Sequence, residues 1–245
     1  MSRYRISGLA LAALLSAGCG GSGSAGSPRS EMAPPVVLAG PTEDQDVSYT
    51  LHDLKGEGKP VLLVHGWAGM ASEMRYLGEG LRQHGFAPYS VDLRPSDARI
   101  AATARAMGKA IDEVLAKERE AKLILVGHSM GGLDARYYLG MMFGTRKVER
   151  LVTIATPHHG TIWGGLAHGE AKEDLRPDSD FFRTLSSFGK PMVPTTSIFS
   201  WTDQTVVPQN SAILDGATNL EHVGLSHTSI LRNPKVLGQV TAALR

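Results

Sequence analysis

Apolar residues along this chain come in short unbroken runs, each closed by a turn and followed by a longer amphipathic stretch. Residues 60–64 (Pro-Val-Leu-Leu-Val), 86–92, 122–126 (Lys-Leu-Ile-Leu-Val), 148–155 and 195–201 are runs of this first kind. Continuous apolar runs of that length predict parallel strands covered on both faces. A sixth, shorter strand is expected at 220–223. Residues 71–84, 98–120, 130–143 and 234–245 place apolar positions at helical spacing instead. Residues 156–194 are less regular. Strands alternating with helices over this length predict an α/β fold, a mostly parallel central sheet with helices on both faces. Ligands in such sheets bind beyond the carboxyl ends of the strands.

Ahead of the first run the pattern is different. Arg3 and Arg5 precede an apolar stretch at 6–15, then the small residues Ser16, Ala17 and Gly18, then Cys19. The stretch is too short to cross a bilayer as a mature helix, so residues 1–18 read as a cleaved signal peptide. The arrangement resembles a bacterial lipoprotein signal, although Ser16 stands where the commonest pattern has Leu. That resemblance implies lipidation of Cys19 and attachment to a membrane of the cell envelope; a plain secretory signal would instead release the protein. Residues 19–45, rich in Gly, Ser and Pro, read as a flexible tether. Residues 46–245 remain for one domain.

Composition narrows the function classes. Hydrophobic content of 42% and charged content of 20% fit an ordinary globular domain. The net charge is +1 and no Lys/Arg run is long enough to hold a phosphate backbone, which excludes a nucleic-acid partner. A single cysteine permits neither an internal disulfide nor a multi-thiolate zinc site. His158 and His159 are adjacent, but neighbours in sequence point apart and no carboxylate lies at ligand spacing, so no metal is expected. Nothing implies a cofactor.

The chemistry is concentrated at Gly127-His128-Ser129-Met130-Gly131, a G-x-S-x-G sequence directly after one apolar run and directly before a helix. A Ser presented there needs a sharp reversal, which brings the positions two before and two after it into contact; small residues are required at both. The helix that follows aims its first N–H groups at the site, where they favour developing negative charge.

Together with His65-Gly66-Trp67 and Thr156-Pro157-His158-His159-Gly160-Thr161, these residues resemble a bacterial lipase or carboxylesterase of the α/β-hydrolase superfamily, over about residues 61–244. The resemblance implies the α/β-hydrolase fold, a Ser-acid-His order along the chain, and Ser129 as the nucleophile. Of the downstream histidines, His227 lies in the loop where such enzymes carry the base. His222 falls inside the last short strand, and His168 in the irregular segment, where it is expected to be exposed. Asp203, in Ser-Trp-Thr-Asp-Gln-Thr-Val-Val-Pro, matches the setting of the acid. Asp92 also ends a strand but precedes the Ser, and Asp215 and Glu221 follow no strand end. The backbone N–H groups of Trp67 and Met130 are the implied oxyanion donors.

Residues 160–190 mix apolar and charged side chains, and both a lid over an acyl pocket and an ordinary helical excursion fit them. The expected activity is hydrolysis of carboxylic esters, with lipid or another acyl ester as substrate. A thioesterase, acyltransferase or polyester depolymerase would use the same residues. A surface lipoprotein with an inactive hydrolase domain is the alternative outside enzymology.

Overall fold

The computed structural model describes residues 46–245. The expected signal peptide, Cys19 and the tether lie outside the described residues. The elements run β1 (Ser48–Asp53), β2 (Lys59–Val64), α1 (Arg75–Gln83), β3 (Phe86–Arg94), α2 (Ile100–Glu118), β4 (Leu123–His128), α3 (Met130–Met141), β5 (Val148–Ile154), α4 (Lys172–Leu175), α5 (Asp180–Ser187), β6 (Thr195–Ser200), β7 (Thr218–His222) and α6 (Pro234–Ala243). They form a seven-stranded sheet of order β1-β3-β2-β4-β5-β6-β7. Every neighbouring pair is parallel except β1 with β3.

Strand β1 does not appear in the apolar pattern, for a physical reason. It lies at the sheet edge, paired on one side, and alternates exposed and half-buried positions. Only Tyr49 and Leu51 reach the core, so no continuous apolar run marks it. The six expected strands form within a few residues of their expected ends. The irregular stretch resolves into two short helices, α4 and α5, joined by turns.

The unbroken runs follow from burial on both faces. Leu62 and Val64 of β2, and Leu123 and Leu125 of β4, pack with Met107, Ile111 and Val114 of α2 and Ala135 and Leu139 of α3. Their alternates Val61, Leu63, Ile124 and Val126 pack on the other face with Leu77 and Leu81 of α1 and Val236 and Val240 of α6. Period two on each face reads in sequence as one run. A third cluster joins α3 to the segment after β5: Met130 and Leu133 meet Ala171, Leu175, Phe181, Phe182 and Leu185.

A carboxyl is sealed between α2 and α3. Asp134 is fully buried, its Oδ1 accepting from Thr103 Oγ at 2.6 Å and its Oδ2 without a partner. Burial pushes its pKa up to about 8, against the lowering effect of the Thr103 hydroxyl. The folded state therefore keeps a proton that the unfolded chain releases near pH ~3.9, and stability falls as pH rises through the window from there to about 8. Asp134→Asn is expected to match the parent near pH 4 and exceed it by roughly 1 kcal/mol or more at pH 9. Denaturant unfolding at a series of pH values checks this; parallel stability curves for the two proteins would refute it.

Candidate active site

The turn between β4 and α3 holds Ser129 at φ 52° and ψ −123°, a conformation few residues other than glycine adopt. Backbone contact on both sides enforces it. A Cβ on Gly127 would stand 2.6 Å from the Gly131 carbonyl carbon, and one on Gly131 would stand 2.6 Å from the Val64 oxygen. Strand β4, helix α3 and the end of β2 thus touch through main chain alone. Ser129 N–H donates to Ile154 O at 2.8 Å, tying the turn to β5.

The loop after β2 lies against this turn. A Cβ on Gly66 would come within 2.8 Å of Ser129 Cβ and 3.3 Å of its Oγ. His65 fixes the loop: its Nε2 accepts from Leu93 N at 3.1 Å, so its Nδ1–H donates to Gly66 O at 2.8 Å. Burial lowers the His65 pKa, which keeps this neutral tautomer. Arg94 adds a bond to Gly69 O at 2.8 Å. Among the described residues no loop or cap hydrogen bond takes the N–H of Trp67 or of Met130.

Asp203 and His227 meet. Asp203 is buried after β6, and His227 sits in the loop after β7, with Nδ1 2.8 Å from Asp203 Oδ2. The other carboxylate oxygen accepts from Thr205 N at 2.7 Å and Val206 N at 3.1 Å, so Asp203 also organises its own turn. Burial pushes its pKa up, but the His227 ring and the two backbone N–H groups outweigh this and leave it below the ordinary carboxylate value. An ionised Asp203 accepting from Nδ1–H leaves Nε2 of His227 as the basic nitrogen.

His227 is brought beside the serine turn through His128. His128 Nε2–H donates to His227 O at 2.9 Å, and the two rings lie 4.8 Å apart. Burial depresses the His128 pKa to about 3, so the ring is a neutral strut. Thr202 Oγ, donating to Leu225 O at 3.0 Å and accepting from Gly224 N at 2.9 Å, ties the same loop to the end of β6. Ser129 Oγ and His227 Nε2 make no hydrogen bond; such contacts commonly tighten only when substrate is present.

The other sequence candidates have different partners. Asp92 accepts from Ala71 N and pairs with His52 and Arg94. His222 Nε2 meets Gln239 Oε1 at 2.7 Å, and Glu221 accepts from Trp201 Nε1. His158 is buried and held by Thr153 at 3.0 Å, whereas His159 reaches Ile213 O. His168, expected to be exposed, is so, and is paired with Asp97. His65 and His128 stand in the motifs that carry the family resemblance, but their bracing roles are not readable from those motifs. The signal for those roles is position alone, each at the carboxyl end of a central strand beside a glycine.

Gly66→Ala would push the β2 loop away from Ser129. If this loop supplies a donor to an oxyanion formed on Ser129, the expected outcome is a folded protein whose Ser129 reacts at least ~10-fold more slowly with a fluorophosphonate, since losing such a donor whole is worth 10²–10³. Labelling followed by mass spectrometry measures it, and an unchanged rate would show that the loop does not serve the serine.

Comparison with known proteins agrees with this architecture. Residues 59–166 match a family model described as alpha/beta hydrolase fold. A triacylglycerol lipase of Pseudarthrobacter phenanthrenivorans is 32% identical over 123 residues, which cover 47% of this chain and 38% of that protein. The chain thus matches less than two fifths of the length of that curated relative. Aspergillus fumigatus lipase B superposes with a TM-score of 0.71 at 24% identity, covering 79% of this chain and 55% of the other. The mature Bacillus licheniformis lipase BlEst2 gives 0.68 at 20% identity, covering 80% and 98%. The chain has the α/β-hydrolase fold, and it is similar in sequence over about half its length to triacylglycerol lipases.

Proposed function

We propose that this protein is a carboxylic ester hydrolase of the lipase or esterase kind, with Ser129 as nucleophile, His227 as base and Asp203 as the acid that orients it. The observation that carries this reading is the 2.8 Å hydrogen bond between His227 Nδ1 and a buried Asp203, on loops tied to the turn that presents Ser129. In the proposed cycle Ser129 Oγ attacks the ester carbonyl while His227 Nε2 takes its proton. The N–H groups of Trp67 and Met130 hold the oxyanion. His227 then protonates the leaving alcohol, and later activates the water that hydrolyses the acyl-enzyme.

A lipid-like acyl ester is the proposed substrate. In support, exposed apolar side chains gather in loops that follow the carboxyl ends of strands, the same end of the sheet as Ser129. Met70 follows β2, Ile162, Trp163 and Leu166 follow β5, Trp201 follows β6 and Val223 follows β7. Residues 160–190 are proposed as a cap over this end, its α5 side packed into the cluster around Met130 and its 162–166 side facing outward. Export and lipid anchoring through Cys19 complete the proposal, and incorporation of labelled palmitate that disappears in Cys19→Ser would support them.

Hydrolysis of p-nitrophenyl esters from acetate to palmitate, with the Ser129→Ala variant beside the parent, tests the activity. The variant is expected to lose at least ~10³-fold. Each buried methylene contributes roughly 0.8 kcal/mol, so a rate that climbs with chain length identifies a long acyl pocket and a rate confined to acetate and butyrate a short one. Full activity in the variant sinks the mechanism. Turnover of thioesters alone would move the reading to a thioesterase.

Replacing Trp163 and Leu166 together by serine is expected to lower activity on emulsified triglyceride several-fold and to leave soluble short-chain ester hydrolysis within about twofold, as both side chains are exposed. Equal effects on both substrates would argue against a lipid-facing role.

A further inference from the structure

Trp67 is held by groups outside its own loop. Its indole Nε1–H donates to His168 O at 3.1 Å, and the His168 ring lies against the indole with centroids 4.5 Å apart. His168 is fixed in turn: its Nδ1 stands 3.0 Å from Asp97 Oδ2. Asp97 also accepts from Ala171 N at 2.8 Å through its backbone oxygen. The segment after β3 thereby clasps residues 168–171 of the cap, and the cap clasps Trp67.

The adjoining residue shows why such a clasp matters. Ala68 has φ 52°, a conformation costly for a residue with a Cβ, and it is exposed. A strained turn of this kind persists only when its surroundings over-determine it. Two backbone bonds hold it, Ala68 N to Ser96 O and Gly69 N to Gly66 O, both at 3.1 Å. One of these again comes from the segment that carries Asp97. The peptide that presents the Trp67 N–H is held on its carbonyl side, where Gly66 O accepts from His65 Nδ1–H at 2.8 Å and from Gly69 N–H at 3.1 Å, and the indole is the handle on its Trp67 side.

We propose that His168 and Asp97 are positioning residues which, through the Trp67 indole, set the direction of the Trp67 peptide N–H, so that the cap governs the oxyanion donor. This rests on the ester-hydrolase reading given above, in which that N–H receives the developing negative charge. In the His168–Asp97 pair the ring is largely solvent-exposed and the carboxylate half-buried, with side-chain exposures of 68% and 30%. Pairs of that kind add little to global stability. Their contribution belongs to placement, and it separates from folding in an experiment.

The test uses the full chain and the variants His168→Ala, His168→Phe, Asp97→Asn and Ser129→Ala. It reads kcat and KM on p-nitrophenyl butyrate, the affinity for a trifluoromethyl ketone that forms a tetrahedral oxyanion on the serine, and the melting temperature. Complete loss of an oxyanion donor is worth 10²–10³ in kcat, so a displaced one is expected to lose on the order of 10-fold. His168→Ala should show that loss in kcat and in ketone affinity alike, with KM within about twofold and little change in melting. His168→Phe, which keeps a ring against the indole, should recover part of it, and Asp97→Asn should lose less than His168→Ala. Parent-like kcat and ketone affinity in His168→Ala and Asp97→Asn, beside an inactive Ser129→Ala, would overturn the clasp and leave the hydrolase reading standing. A loss that instead tracks melting temperature and KM would mark a purely structural role and overturn it too. Ser129→Ala as active as the parent would remove the hydrolase reading, and with it this role of Trp67.

Discussion

The steric contact at the Ser129 turn is the constraint from which the site follows. A backbone at positive φ immediately after a buried strand needs main chain packed against main chain, and Gly127, Gly131 and Gly66 permit that on three sides. With those contacts made, the ends of β2 and β4 and the start of α3 become one rigid unit. The loop after β2 cannot come closer without colliding with the serine. The order of the central strands, β2-β4-β5, places the neighbouring loops around it.

Neutral histidines do much of the remaining fastening. His65 and His128 are buried, and burial holds both rings uncharged. A neutral imidazole offers one donor and one acceptor in fixed directions. His65 uses both, binding β3 to the loop after β2. His128 uses only its donor, to the backbone of His227, and its Nδ1 has no partner. His227 differs because it faces a carboxylate: Asp203, held ionised by three hydrogen bonds, has the charge that an imidazolium would need beside it. Similar rings on adjoining loops thus serve unlike ends, decided by what each one meets.

The segment of residues 160–190 joins this unit by two separate clasps. Asp174, buried at the end of α4, accepts from Ile100 N and pairs with Arg99 at the start of α2, supplying the cap that this helix lacks from its own sequence. Asp97 and His168 form the second, nearer the loop after β2. The first is buried and anchors the segment; the second is exposed and reaches Trp67. Both clasps reach the short connection between β3 and α2, Asp174 binding its end at Arg99 and Ile100 and His168 meeting Asp97 in its middle.

What the sequence determined by itself was whatever leaves a periodic or local trace. Doubly buried strands write continuous apolar runs, and the turn after β4 writes its glycines at fixed spacing, so the parallel sheet and the sharp turn at Ser129 were legible. Asp203 and His227 were pointed to by the family resemblance and their placement after the last strands, although their hydrogen bond is a tertiary fact. Strand β1 left no run because one side of it is an edge. The roles of His65, His128 and His168 left no trace either, since a lone histidine beside a glycine looks alike whether it braces a loop or faces solvent. Those roles are set by residues 28 to 101 positions away, Leu93 for His65, His227 for His128 and Trp67 for His168. Only closure of the chain into its fold brings such partners within hydrogen-bond reach, and no local pattern encodes it.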